Sequence, residues 1–168
     1  LNIYQMWNLG IKYSLGNKEH NYIAILNDDL ILCTVKDFFT QLVEPLDLYE
    51  NIWGVCGNYD HRASDLICTE VTGTFKDNGF AGFCFAVPGR AYINGLPLFD
   101  ERYNIWYGDD DLVHYIHKAG KRTVMSIAAT MIHIKGGSNS FGDRSKLVNE
   151  ENQKDTDIYM KKWHTNGN

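Results

Sequence analysis

Long apolar runs are missing from this chain of 168 residues, and with them any segment able to cross a bilayer as a helix. The opening residues Leu1-Asn2-Ile3-Tyr4-Gln5 lack the basic start and apolar core of a secretory signal. An initiator Met is missing too, so the chain is expected to be a fragment or a processed piece. A basic excess is absent: 16 Lys and Arg stand against 21 Asp and Glu, giving a formal net charge of -5. That balance argues against nucleic acid as a partner, since phosphate binding needs a basic surface. Cysteine is sparse, and Cys33, Cys56, Cys68 and Cys84 show no CxxC spacing. Structural zinc is therefore not expected. Each cysteine has apolar, strand-like neighbours, which reads as buried free thiols and a reducing, cytoplasmic setting.

What is present is an ordinary globular composition, 44% hydrophobic and 22% charged, enough for one domain with a real core. No repeat, low-complexity segment or linker divides residues 1–168. Ile3 to Leu15 carries Ile3, Met6, Trp7, Gly10, Ile11 and Ser14 at near-helical spacing, with a stop at Gly16-Asn17. Tyr22 to Leu26 reads as a buried strand running into Asn27-Asp28-Asp29, followed by Leu30-Ile31-Leu32. A helix is expected over Val35 to Leu48, disturbed near its end by Pro45. Strands are expected at Ile52 to Gly57, Leu66 to Thr72 and Phe80 to Val87, with a polar loop from Asn58 to Ser64 and a turn from Gly73 to Asn78. Gly79 and Gly82 leave room for something to approach the backbone. Pro88 suits the first position of a short helix ended by Gly95. A helix capped by Gly120 follows Leu112, and Arg122 to Met125 and Ala128 to Ile134 read as two further strands. Gly136 to Ser140 reads as a loop, and Arg144 to Trp163 as a charged tail helix anchored by Leu147, Val148, Ile158, Tyr159 and Trp163.

Chemistry gathers at three points: Asp28 and Asp29 after a strand, Asp109-Asp110-Asp111 at a helix start, and His133 at a strand end. Each has a plain structural reading as well: an Asx-rich turn, an Asp-capped helix N-terminus offset by the helix dipole, and a structural histidine. Taken together, oxygen ligands and one imidazole suit Mg²⁺ or Mn²⁺ better than zinc. Such an ion completes its shell with water and substrate phosphates, which points to a nucleotide diphosphate ligand. A carboxylate off the metal is then free to act as a general base.

The segment YIAILNDDLIL, Tyr22 to Leu32, resembles the strand and DXD-type motif of GT-A fold glycosyltransferases, above all the large family 2 and its rhamnosyltransferase-like members. The stretch GFAGFCFAVPGRAYINGLPLFDERYNIWYGDDDLVHYIHKAGKR is similar to the acceptor-side half of those enzymes, where a Gly-rich strand, a short helix, an aromatic run and an ED-x-DL motif follow in order. INGLP followed by WYGDDDL also resembles the β-1,4-galactosyltransferase pattern. MIHIKGGS resembles the family's strand-end His and Gly-rich loop, and YMKKW its C-terminal end.

The resemblance implies an α/β, GT-A-like mixed sheet flanked by helices, lacking the N-terminal βαβ portion that normally holds the nucleotide base. An exposed sheet edge and self-association would follow. It also implies a metal-dependent inverting glycosyltransferase that moves a sugar from a nucleotide-diphosphate donor to a carbohydrate or other acceptor. Asp109 takes the place of the catalytic base. Asp29 and His133 take the places of the Mn²⁺ or Mg²⁺ ligands. Asn27, Asp28 and Gly82 fall on the donor side, with Asn27 where most members carry the first acid. Trp106, Tyr107, Gly108 and Asp110 fall on the acceptor side, with Gly108 where many members carry Glu, and Asp111 supports the helix start. The departures at Asn27 and Gly108 keep open a non-catalytic sugar- or nucleotide-binding relative or an inactive fragment. A two-metal phosphohydrolase would need more His and Asp at strand ends than the chain offers.

Overall fold

The computed structural model describes residues 1–17, 20–33, 37–59, 75–77, 80–134 and 144–164. The expected strand Leu66 to Thr72, the loop Gly136 to Ser140, Gly79 and most of the Asn58 to Ser64 loop lie outside these residues, as do the side chains of Leu147 and Val148. The strands are β1 (Tyr22–Leu26), β2 (Leu30–Leu32), β3 (Ile52–Asn58), β4 (Phe75–Asp77), β5 (Cys84–Pro88) and β6 (Arg122–His133). The helices are α1 (Ile3–Gly16), α2 (Phe38–Leu48), α3 (Gly89–Ile93), α4 (Gly108–Lys118) and α5 (Arg144–Trp163). The strands form one mixed sheet in the order β1-β5-β3-β6-β2, with β4 also paired to β6, so the fold is α/β. Among the described residues β1 is an edge strand.

Antiparallel pairing of β5 with both β1 and β3, and parallel pairing of β3 with β6, makes β1, β3 and β6 run the same way. The carboxyl ends of β1 and β6 therefore share one edge of the sheet with the amino end of β5. That edge carries Asn27 to Asp29, Gly82 and His133.

Two apolar layers hold the sheet. Phe85 and Val87 of β5 face one, with Tyr4, Ile11, Leu112 and Ile116; Cys84 and Ala86 face the other, with Phe38, Leu42 and Leu46 of α2. Each fully buried large apolar side chain contributes about 1.5–3 kcal/mol. In β3 the alternation slips: Ile52 opposes Arg122, whereas Gly54 opposes Thr123. The extra residue puts Val55 in the same layer as Ile52, three positions away, as a β-bulge does.

The pairing of β6 corrects the sequence reading of that region. One strand spans Arg122–His133 where two were expected. Gly57 opposes Ser126 and Asn58 opposes Thr130, so a register shift sits where the alternation breaks. The expected turn over Gly73 to Asn78 contains β4, paired with β6 at Phe75↔Ser126. The strand expected from Phe80 begins at Cys84, after a turn at Gly82-Phe83. Pro88 ends β5 rather than opening α3. On α1 the buried positions are Tyr4, Asn8 and Ile11, while Met6 is exposed. Asn8 replaces an apolar residue there by mimicking a peptide, accepting the Phe99 N–H and donating to the Phe99 carbonyl, each at 2.9 Å. Cys33 is exposed rather than buried. Burial pushes the Cys56 thiol up to about 12 and Cys84 up to about 11, so both are unreactive.

α2 continues to Leu48 through Pro45. A proline there leaves the Gln41 carbonyl without its helical donor. Ser126 of β6 supplies the missing bond, its hydroxyl donating to Gln41 O at 2.7 Å. α4 closes on Gly120 at φ +69, with Lys121 N–H donating to Ile116 O and Gly120 N–H to His117 O, a Schellman stop.

Candidate functional site

A cavity of about 540 Å³ opens at the shared sheet edge, lined among others by Asn27, Asp28, Asp29, Gly82, Trp106, Asp109 and His133. Seven of the ten residues singled out in the sequence thus meet in one cleft, although they come from segments separated by up to about a hundred residues. β-pairing brings the first group together. Leu30 opposes His133, and Ile134 N–H donates to the carbonyl of Asp29 at 2.9 Å. Asn27 N–H donates to the carbonyl of Phe83 at 2.8 Å, fixing the turn after β1 against the turn before β5.

His133 Nε2 lies 3.2 Å from Asp29 Oδ2. The imidazole also stacks on Phe83, ring centroids 4.1 Å apart, so its plane is set from two sides. Asp29 Oδ1 is buried with no hydrogen-bond partner. A buried carboxylate oxygen without a donor is costly, and a cation beside it removes that cost. The pair therefore fits a hard divalent ion that takes the rest of its shell from water and phosphate oxygens. Among the described residues, no three His, Cys, Asp or Glu side chains form a ready-made metal cage.

Asp109 stands in the first turn of α4, at the positive end of the helix dipole. Gly82 N–H donates to its Oδ2 at 3.0 Å. The volume that the sequence reading left free at Gly82 is filled by this carboxylate, which a Cβ on Gly82 would overlap.

The other acceptor-side candidates lie elsewhere. Asp110 borders a smaller cavity of about 170 Å³ on the far side of Asp109, with Phe80 and His117. Burial, and then the neighbouring Asp109 charge, raise the Asp110 carboxyl above its ordinary value. Tyr107 stacks on Tyr159 at 4.8 Å and holds a left-handed backbone, φ +65, just before the helix. Gly108 is buried against the Tyr4 ring, which a Cβ would strike. Only Trp106 of the four faces the cleft, beside Ile105.

Asp111 does not cap its helix. It is buried and faces α5, accepting from Lys162 Nζ at 2.9 Å and from Trp163 Nε1 at 2.6 Å. Lys162 also reaches Asp100 at 3.0 Å. Burial pulls the Lys162 ammonium down, but its bonds to Asp111 and Asp100 outweigh that and raise it.

Sequence reasoning missed two residues around the cleft. The Tyr4 hydroxyl donates to Ile105 O at 2.7 Å and accepts from Gly108 N–H at 3.1 Å, bridging the turn ahead of α4. The bare Gly108 was the available sign, since a glycine at a helix start leaves space for a neighbouring ring. Asp155 of α5 accepts the backbone N–H groups of Asn104, Ile105 and Trp106.

No described helix is long and apolar enough to cross a membrane. No protein-family model matches the chain, and no curated protein matches it. Among solved structures, the crystal structure of A197 from STIV is similar, with a TM-score of 0.49 and 13% identity over 84% of this chain and 69% of that chain.

Proposed function

We propose that the chain is a metal-dependent inverting glycosyltransferase domain of the GT-A type, moving a sugar from a nucleoside-diphosphate donor to a hydroxyl of a carbohydrate acceptor. The observation that carries this reading is the convergence of Asp29, His133 and Asp109 on one cleft. Asp29 and His133 are the residues that would hold Mn²⁺ or Mg²⁺. The bound ion supplies charge neutralisation to the diphosphate leaving group. Asp109 accepts the proton of the acceptor hydroxyl as that oxygen attacks the anomeric carbon, and the bond to the diphosphate oxygen breaks on the opposite side. The Gly82 N–H holds one oxygen of Asp109 and keeps the carboxylate aimed. Trp106 gives the acceptor an apolar wall to pack on.

The test is release of nucleoside diphosphate from a panel of nucleotide sugars with Mn²⁺ and mixed saccharide acceptors, wild type against Asp109→Asn. Loss of the base is expected to lower turnover by roughly 10²–10⁴-fold. Turnover that survives the substitution overturns the assignment of Asp109. Nucleotide-sugar binding with no turnover by the wild type assigns the chain to sugar-nucleotide binding without catalysis.

A further inference from the structure

α5 is rich in charge around its circumference, and yet Asp155 near its middle is fully buried. Its carboxylate is surrounded by backbone from a distant loop. Oδ1 accepts the Asn104 N–H at 3.0 Å, and Oδ2 accepts the N–H groups of Asn104, Ile105 and Trp106 at 3.2, 2.9 and 2.9 Å. One turn earlier Glu151 accepts from the Asn104 side-chain amide. Successive N–H groups converging on one anion make a nest, the geometry that elsewhere holds phosphate. Here a side chain of the same protein fills it.

The arrangement decides where the loop's side chains go. With their N–H groups turned toward Asp155, Ile105 and Trp106 present their side chains to the cleft that also holds Asp29, Asp109 and His133. From the other side, the Tyr4 hydroxyl takes the Ile105 carbonyl and the Gly108 N–H. Charge-assisted bonds from three consecutive amides outweigh two neutral ones, so Asp155 is the stronger of the two clamps.

We infer that Asp155 is the positioning residue of the Trp106 wall, and so sets where an acceptor sugar packs in the cleft; its functional meaning rests on the glycosyltransferase reading. The effect acts through the loop backbone and leaves the Asp29–His133 pair untouched.

The test uses the whole chain labelled with 5-fluorotryptophan, with the resonances of Trp7, Trp53, Trp106 and Trp163 assigned by single Trp→Phe variants. Asp155→Asn removes the negative charge while keeping the side chain's shape. Asp155→Glu keeps the charge but displaces it by one methylene, and serves if the Asn variant does not fold. Either variant is expected to shift the Trp106 fluorine resonance and increase its solvent isotope shift. Trp7 and Trp53 should stay in place, and so should Trp163, which reports that α5 remains docked. An unmoved Trp106 resonance in a folded variant overturns the inference, and so does displacement of all four together. Added Mn²⁺ tests the underlying reading separately. It should broaden Trp7 and Trp106 in the wild type but not in His133→Ala, whatever the Asp155 variants do. Absence of that broadening overturns the metal site without bearing on the fluorine shifts.

Discussion

Asp109 and Gly82 share one small volume: the glycine N–H donates to Asp109 Oδ2 at 3.0 Å, and the carboxylate occupies the place where a Cβ on residue 82 would stand. Gly82→Ala is expected to expel Asp109 from its position while the Asp29–His133 pair stays intact. Turnover should then fall about as far as in Asp109→Asn, by roughly 10² or more, with Mn²⁺ affinity unchanged. A parallel transfer assay and Mn²⁺ titration of the variant measure both, and full activity in Gly82→Ala removes the link.

Asp29 Oδ1 is buried without a hydrogen-bond partner, and His133 stands beside its twin oxygen. Asp29→Ala and His133→Ala should each weaken Mn²⁺ binding by at least about tenfold, or ~1.4 kcal/mol. Calorimetric titration with MnCl₂ decides it, and unaltered affinity in both variants sinks the metal site.

The buried Asp111 joins α4 to α5 through Lys162 and Trp163. Asp111→Ala leaves the Lys162 ammonium with Asp100 alone. A loss of about 3 kcal/mol is expected, the lower end for breaking a buried pair, because one anion remains. Urea unfolding followed by tryptophan fluorescence reads this directly.

His114 sits in the same interface, 2.6 Å from the Tyr159 hydroxyl and stacked on Trp163. Burial first, and then His164, lower its pKa, while Asp111 pulls the other way. The unfolded imidazole takes its proton near pH 6.5, before the folded one does, so the unfolded state binds more protons in between. This contribution to stability is complete above about pH 6.5 and is lost as the pH falls through the lower folded value. Thermal unfolding midpoints across that window should fall less steeply in His114→Gln than in the wild type; identical slopes would remove His114 from the account.

The Tyr4 ring fills the space that a side chain on residue 108 would need. Gly108→Glu is therefore expected to unseat Tyr4 and α1 rather than improve acceptor binding. Overpacking of this kind costs about 1–3 kcal/mol or more. A drop in unfolding midpoint with no gain in turnover is the predicted pair of results.

The cleft was legible in the sequence where chemistry and local pattern coincide. Tyr22 to Leu26 is an uninterrupted apolar run ending in acids, and β1 has those bounds. β6 was not legible as one strand, because its register shift inverts the alternation near Ser126 and mimics a gap. The buried face of α1 was misplaced because Asn8 is polar and owes its burial to partners far along the chain, Phe99, 91 residues away, and Glu101. Asp155 carried no local mark at all: in a helix of mixed charge, nothing distinguishes a solvated Asp from one that three distant amides will surround.

β6 is continuous from its pairing with β3 to its pairing with β2, so the chain between Arg122 and His133 works as a gauge rod. Its near end is fixed by the central sheet, and its far end sets the reach of the imidazole toward Asp29. Lengthening the rod by one residue would carry His133 onward by about 3.3 Å and turn it to the opposite face. The slip near Ser126 thus calibrates the spacing at the far end, well outside the cleft whose dimensions it fixes.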